Sequence, residues 1–96
     1  MRYDIVLAPD VVTDLKSLKA SIRTEVRNSI ERYLRHEPMK VSKSRIKRLR
    51  GFSKPQYRLR VNEVRVFYDV LESTVEILAI VEKANAEEWL QRYGEP

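Results

Sequence analysis

The sequence predicts an α+β domain of order β-α-α-β-β-β-α, a small, mostly antiparallel sheet with two N-terminal helices packed on one face. Three observations lead there. Apolar residues recur at helical spacing between Val11 and Leu34. From Ile46 onward the period changes to two, with β-branched and aromatic residues alternating with arginines. The chain has 96 residues, enough for one core and too few for two, so residues 1–96 form a single domain.

Residues 2–7 set Tyr3, Ile5 and Leu7 against Arg2 and Asp4, the alternation of a half-buried strand. Ala8-Pro9-Asp10 breaks it and opens a helix, since proline is tolerated in a first turn and Asp suits an N-terminus. Val11, Leu15 and Leu18 mark that helix's apolar face. Ser21 is the expected N-cap of a second helix, with Ile22, Val26, Ile30, Tyr33 and Leu34 facing the core. It ends near His36–Glu37, because Pro38 disfavours helix at the residue before it.

After an exposed loop over 38–45, Ile46–Arg50 reads as a short strand ended by Gly51. Tyr57–Val61 and Val64–Val70 form a β-hairpin turning at Asn62-Glu63. Residues 75–82 are the most apolar strand and belong inside the sheet. Asn85-Ala86-Glu87-Glu88 resembles a capping box opening a last helix through Trp89 and Tyr93 to Gly94.

Charge is unevenly spread. Between Lys40 and Arg65 there are ten basic residues (Lys40, Lys43, Arg45, Lys47, Arg48, Arg50, Lys54, Arg58, Arg60, Arg65) against one acid, Glu63. The rest of the chain carries nine basic and thirteen acidic side chains, so a strongly basic stretch sits on a slightly acidic body. That distribution attracts polyanions, nucleic acid above all. With no cysteine, disulfides, thiolate catalysis and Cys-based zinc sites are excluded, and the single His36 rules out a His-rich metal site. No apolar run approaches the roughly 18 residues of a membrane helix. The charged N-terminus does not read as a signal peptide, and a reducing cytoplasm is the expected location.

A two-residue turn at Asn62-Glu63 pairs Arg60 with Arg65, Arg58 with Phe67 and Tyr57 with Tyr68. Alternation then puts Tyr57, Leu59, Val61, Val64, Val66 and Tyr68 on the face toward the helices. Arg58, Arg60, Arg65 and Phe67 share the other. Like charges directly opposite cost stability, so folding alone gives no reason for the Arg60/Arg65 pair. A single arginine there is most simply a solvated side chain; three converging beside Lys47, Arg48 and Arg50 favour an anion site. Arginine's planar fork suits phosphate oxygens, and Phe67 offers a surface for a base to stack on. Lys83, just past the last strand, can reach the same face. Trp89 and Tyr93, four apart on the last helix, read as packing residues, His36 as complementing a helix C-terminus, and Glu87 and Glu88 as first-turn acids.

The segments Lys47-Arg48-Leu49-Arg50-Gly51, Tyr57-Arg58-Leu59-Arg60-Val61 and Val64-Arg65-Val66-Phe67-Tyr68 resemble the RelE/ParE superfamily of bacterial toxins, whose pattern is a "KLRG" strand followed by "YRLRVGDYRVIY". The element order fits over nearly the whole chain. The RelE branch implies a ribosome-dependent endoribonuclease (mRNA interferase) of a toxin–antitoxin system. It cuts mRNA in the ribosomal A site, by attack of a 2′-hydroxyl on the adjacent phosphate, until a cognate antitoxin protein binds. By position, Arg58 and Arg60 match two basic catalytic residues that are often lysines, and Arg65 matches a phosphate-binding arginine. The family usually adds an arginine after the last strand and a Tyr or His near the C-terminus. Here Lys83 and Tyr93 are the nearest substitutes, neither in clear register. Lys47, Arg48, Arg50, Lys54 and Phe67 complete the implied RNA-binding set, with ribosome and mRNA as partners and neither metal, small-molecule cofactor nor membrane. A ParE-like DNA gyrase inhibitor, or a catalytically weak binding module of the same fold, is the alternative. In every case an antitoxin segment with acidic and apolar residues would cover the basic face or displace the last helix.

Overall fold

The computed structural model describes residues 1–96 as β1 (Asp4–Leu7), α1 (Pro9–Ser17), α2 (Ala20–Leu34), β2 (Ile46–Arg48), β3 (Tyr57–Val61), β4 (Val64–Leu71), β5 (Thr74–Glu82) and α3 (Lys83–Tyr93). The α+β class and the run of elements agree with the sequence. Ile46–Arg48 counts as a strand of its own, so four strands follow α2 where the expected order wrote three. The sheet order is β1-β5-β4-β3-β2, antiparallel except for the parallel β1/β5 pair. The hairpin register agrees pair for pair, from Val61 opposite Val64 to Tyr57 opposite Tyr68. Asn62 supports that turn with a left-handed φ of 51°, a conformation asparagine tolerates better than most residues.

Helices α1 and α2 cover one face of the sheet. Val11, Leu15, Val26, Ile30 and Leu34 pack there on Leu59, Val61, Val64, Val66, Tyr68, Val75 and Ile77, all buried. Arg23 locks the corner between the helices: its Nε donates to the Leu15 carbonyl (3.1 Å) and Nη2 to that of Leu18 (3.0 Å). The Leu15 carbonyl also takes the Leu18 N–H (3.2 Å), so Arg23 reinforces the end of α1. The connection is so short that α2 begins at Ala20 with Lys19 at its N-cap. Ser21 therefore falls inside the first turn and caps nothing.

Helix α3 packs on the opposite face, not with the other two. Phe67, Ala79 and Leu90 form a second small core there, flanked by Leu49, Phe52, Val81, Ala86 and Trp89. The Trp89 ring stacks on Phe67 with centroids 5.0 Å apart and planes 7° from parallel. The expected capping box at Asn85 does not form. β5 runs straight into α3 with Glu82 at the N-cap, and the Lys83 N–H donates to the Glu63 carbonyl at 2.7 Å. The hairpin turn thus supplies an acceptor that a capping side chain would otherwise provide.

A bulge reconciles β5 with both cores. Tyr68 pairs with Ile77 and Phe67 with Ala79, leaving Leu78 as the extra residue. Ile77 and Ile80 can then both face the helical pair while Ala79 and Val81 face α3. β1 accompanies β5 only as far as Ile77. Beyond that point α1 takes over, and Asp14 Oδ2 accepts from the Ile80 N–H at 3.2 Å.

Covered on both sides, β4 is buried from Val64 through Asp69. Asp69 accepts from the Gln56 N–H (2.7 Å). Burial nevertheless holds its carboxyl above the ordinary carboxylate range, and that N–H and Lys54 offset the shift only in part. Such a group favours the folded state fully below its unfolded value near 3.8 and loses that contribution as pH rises through the folded value. Asp69→Asn is expected to be more stable than the parent at neutral pH and to lose that advantage below about pH 4 in denaturant titrations. Phe67→Ala should cost about 3–5 kcal/mol in the same assay, as for a fully buried ring.

Candidate nucleic-acid interface

The site is built on the β3–β4 hairpin and the edge strand β2. Lys47 lies opposite Arg58 across β2/β3, and Arg60 lies opposite Arg65 across β3/β4. Strand alternation turns these four side chains to the α3 side of the sheet. Arg60 is exposed, Arg58 half-buried and Arg65 only 6% exposed. The Arg65 guanidinium is folded back onto the hairpin tip, where Nη1 donates to the carbonyls of Asn62 (2.7 Å) and Val64 (3.1 Å). Burial lowers its pKa first, and the positive charges of Arg58 and Arg60 lower it further, with Glu63 opposing. An arginine so shifted still keeps its proton near neutrality. Its positive charge is therefore set against those of Arg58 and Arg60.

None of the three forms an ion pair; the paired acids are Glu31, Glu37, Glu76 and Glu88, with other partners. Arg58 Nε is buried without an acceptor. A buried unsatisfied donor is costly, and an anion seated among these arginines would supply what it lacks. The arrangement can stabilise negative charge on phosphate oxygens. It holds no group of three or more His, Cys, Asp or Glu able to bind a metal.

Several residues expected in the same site lie elsewhere. Phe67 is fully buried under Trp89 and has no face open to a base; the apolar side of α3 claims the surface that the hairpin alone would expose. Arg48 points to the helical side of the sheet, because its partner is Tyr57, whose ring lies 5.1 Å from its Cζ. Its Nη1 is held by the Gln56 carbonyl at 2.9 Å. Arg50 is exposed after β2, just before Gly51. Lys54 Nζ lies 3.9 Å from Glu76, whose strand partner is Asp69, toward the far end of β4 from Arg65. Lys83 opens α3 beside the hairpin turn, at the arginine end. Tyr93 lines a cleft of about 460 Å³ with Asp10, Thr13 and Leu78, between α1 and α3, so it does not join the arginines. The role missed in the sequence is that of Asn62, whose carbonyl fixes Arg65. Its turn-forming character was legible, but the guanidinium folding back on it is a tertiary contact.

No family model matches the sequence, and neither does any curated protein. Solved structures do. A chain of the RelE–RelB complex from Pyrococcus horikoshii is 26% identical with a TM-score of 0.70, the match covering 86% of this chain and 97% of that one. A chain of the RelBE toxin–antitoxin complex from Mycobacterium tuberculosis is 24% identical with a TM-score of 0.73, covering 85% and 99%. The isolated RelE toxin of Escherichia coli is 15% identical with a TM-score of 0.66, covering 94% and 97%. The chain has the fold of the RelE-like toxins. In this RelE-like domain the facing pair Arg60/Arg65 carries a measurable penalty. Arg60→Gln is expected to raise stability by roughly 0.2–1 kcal/mol at low ionic strength. The gain should shrink as salt screens the repulsion, which denaturation across a salt series would read.

Proposed function

We propose that this chain is the toxin of a type II toxin–antitoxin pair and acts as a ribosome-dependent endoribonuclease on mRNA. The observation that carries the reading is the cluster of Arg58, Arg60 and Arg65, in which the first two bear on the third, none is paired with a carboxylate, and Lys47 joins them. The RelE-like fold supports it, as does the presence of antitoxin in two of the matched structures. A cognate antitoxin is the expected protein partner, and the cytoplasm the place of action.

In this mechanism the 2′-oxygen next to the scissile bond attacks phosphorus as its proton leaves. The bond to the 5′-oxygen breaks, and that oxygen takes up a proton. The products are a cyclic phosphate and a 5′-hydroxyl. Arg58 and Arg60 neutralise the charge that builds on the equatorial oxygens, while Arg65, held by the hairpin tip, is a preorganised donor needing no rearrangement. Arginine is a poor base, with a pKa above roughly 12, so the proton transfers fall to other groups. Lys83, at the arginine end of α3, is the residue of this chain best placed to assist.

A cell-free translation reaction followed by primer extension tests this reading. New 5′ ends that require ribosomes are expected with the parent protein. Arg60→Gln should cut at a rate lower on the order of 10²-fold, although it is the more stable protein, and that separates chemistry from folding. One observation favours a second reading: Tyr93 lies off the arginine face, which leaves the site without a C-terminal acid or base. A ParE-like gyrase inhibitor of the same fold needs none. Intact mRNA together with blocked DNA supercoiling would establish that reading in place of the first.

A further inference from the structure

The basic stretch does not stay on one side of the sheet. Arg45, in the loop before β2, lays its Cζ 4.9 Å from the centre of the Tyr33 ring, and Arg32 of α2 lies over the same ring at 5.3 Å. Tyr33 is half-buried against the main core, so it is a fixed plate. Two clefts of about 300 and 400 Å³ are both lined by Arg32, Tyr33 and Arg45. Neither arginine has a carboxylate partner, and the acids nearby are engaged: Glu37 with Lys40 at 3.7 Å, Glu25 with the Asn62 side chain. A guanidinium stacked on a ring keeps its in-plane N–H groups free for other acceptors.

We propose that Arg32, Tyr33 and Arg45 form a second phosphate site, on the helical side of the sheet, that holds an RNA backbone passing round the β2 edge. The link to the arginine face is direct. The Arg60 N–H donates to the Arg45 carbonyl at 2.8 Å, and Arg45 Nη1 reaches the Arg60 carbonyl at 3.4 Å. The two residues are backbone neighbours whose side chains serve opposite faces. A strand curving over Lys47 meets Arg60 on one side and Arg45 on the other. Apart from Tyr33 and Ile46, the residues that line the clefts are polar or charged, with one acid in each, Glu37 and Glu25. The inference rests on the nucleic-acid reading of the arginine face, and the test separates the two.

A fluorescently labelled RNA hairpin is titrated with the full chain over a salt series, and the slope of log Kd against log salt is compared among variants. Each lost phosphate contact lowers that slope by about 0.7–0.9. R32Q/R45Q is expected to lower it by about 1.4–1.8 and to weaken binding about tenfold or more at low salt. Arg45→Lys keeps the charge and should keep the parent slope. If R32Q/R45Q binds with the parent slope while R58Q/R60Q is flattened, RNA sits on the arginine face alone and the second site is overturned. If neither double variant changes the slope, RNA binding at both faces is refuted. Thermal melts of each variant establish that a flattened slope comes from a folded protein.

Discussion

Strand β4 runs down the middle of the sheet with helices on both faces, and the character of the site follows from that double cover. The α1/α2 layer requires Val64, Val66 and Tyr68 to be apolar. The α3 layer meets Arg65, Phe67 and Asp69 on the other side, and only the middle one of the three is apolar. Phe67 accepts the Trp89 ring, while the two charged residues lie at the ends of the buried stretch with their needs met locally. Arg65 turns back to the hairpin carbonyls and Asp69 takes the Gln56 N–H. A charged residue buried this way is held in one place before any ligand arrives, which is what a group stabilising a transition state requires.

The same geometry sets stability against charge density. Arg60 faces Arg65 across the hairpin, Arg58 adds to the repulsion, and Glu63 offsets it only in part. Natural domains tolerate such local conflicts mainly where function demands them. The main core beneath the hairpin is extensive, and the buried Tyr68 hydroxyl within it is satisfied by the Pro38 carbonyl, so it can support a costly face of this kind.

The hairpin was legible in the sequence because its information is local. A period of two, a turn-favouring Asn62 and opposed hydrophobic runs determine register, and register determines which arginines share a face. What was not legible depended on other elements arriving. The hairpin sequence does not say that α3 will cover Phe67, nor that Arg48 will find Tyr57. Ser21 and Asn85 were reasonable caps by composition, yet α2 begins at Ala20, one residue ahead of Ser21, and the Glu63 carbonyl already takes the Lys83 N–H. The bulge at Leu78 has no sequence signal of its own: the run from Ile77 to Val81 is apolar on both faces, so alternation could not reveal a shift within it. The basic stretch was visible as a stretch, and its division between two faces emerged only once the pairing of β2 with β3 was known.

The contact between Asp14 and the Ile80 N–H bears on how the molecule behaves in a crowd. Where β1 stops, the second half of β5 becomes an outer strand, and an apolar outer strand invites another chain to pair with it. A helix laid alongside and a carboxylate seated on one of its amides make that row of donors a poor template for a stranger. The cover over this edge thus depends in part on an acid of α1, on the other flank of α3 from the arginines. The charge that covers this edge and the charge gathered on the arginine face are of opposite sign and belong to different parts of the fold.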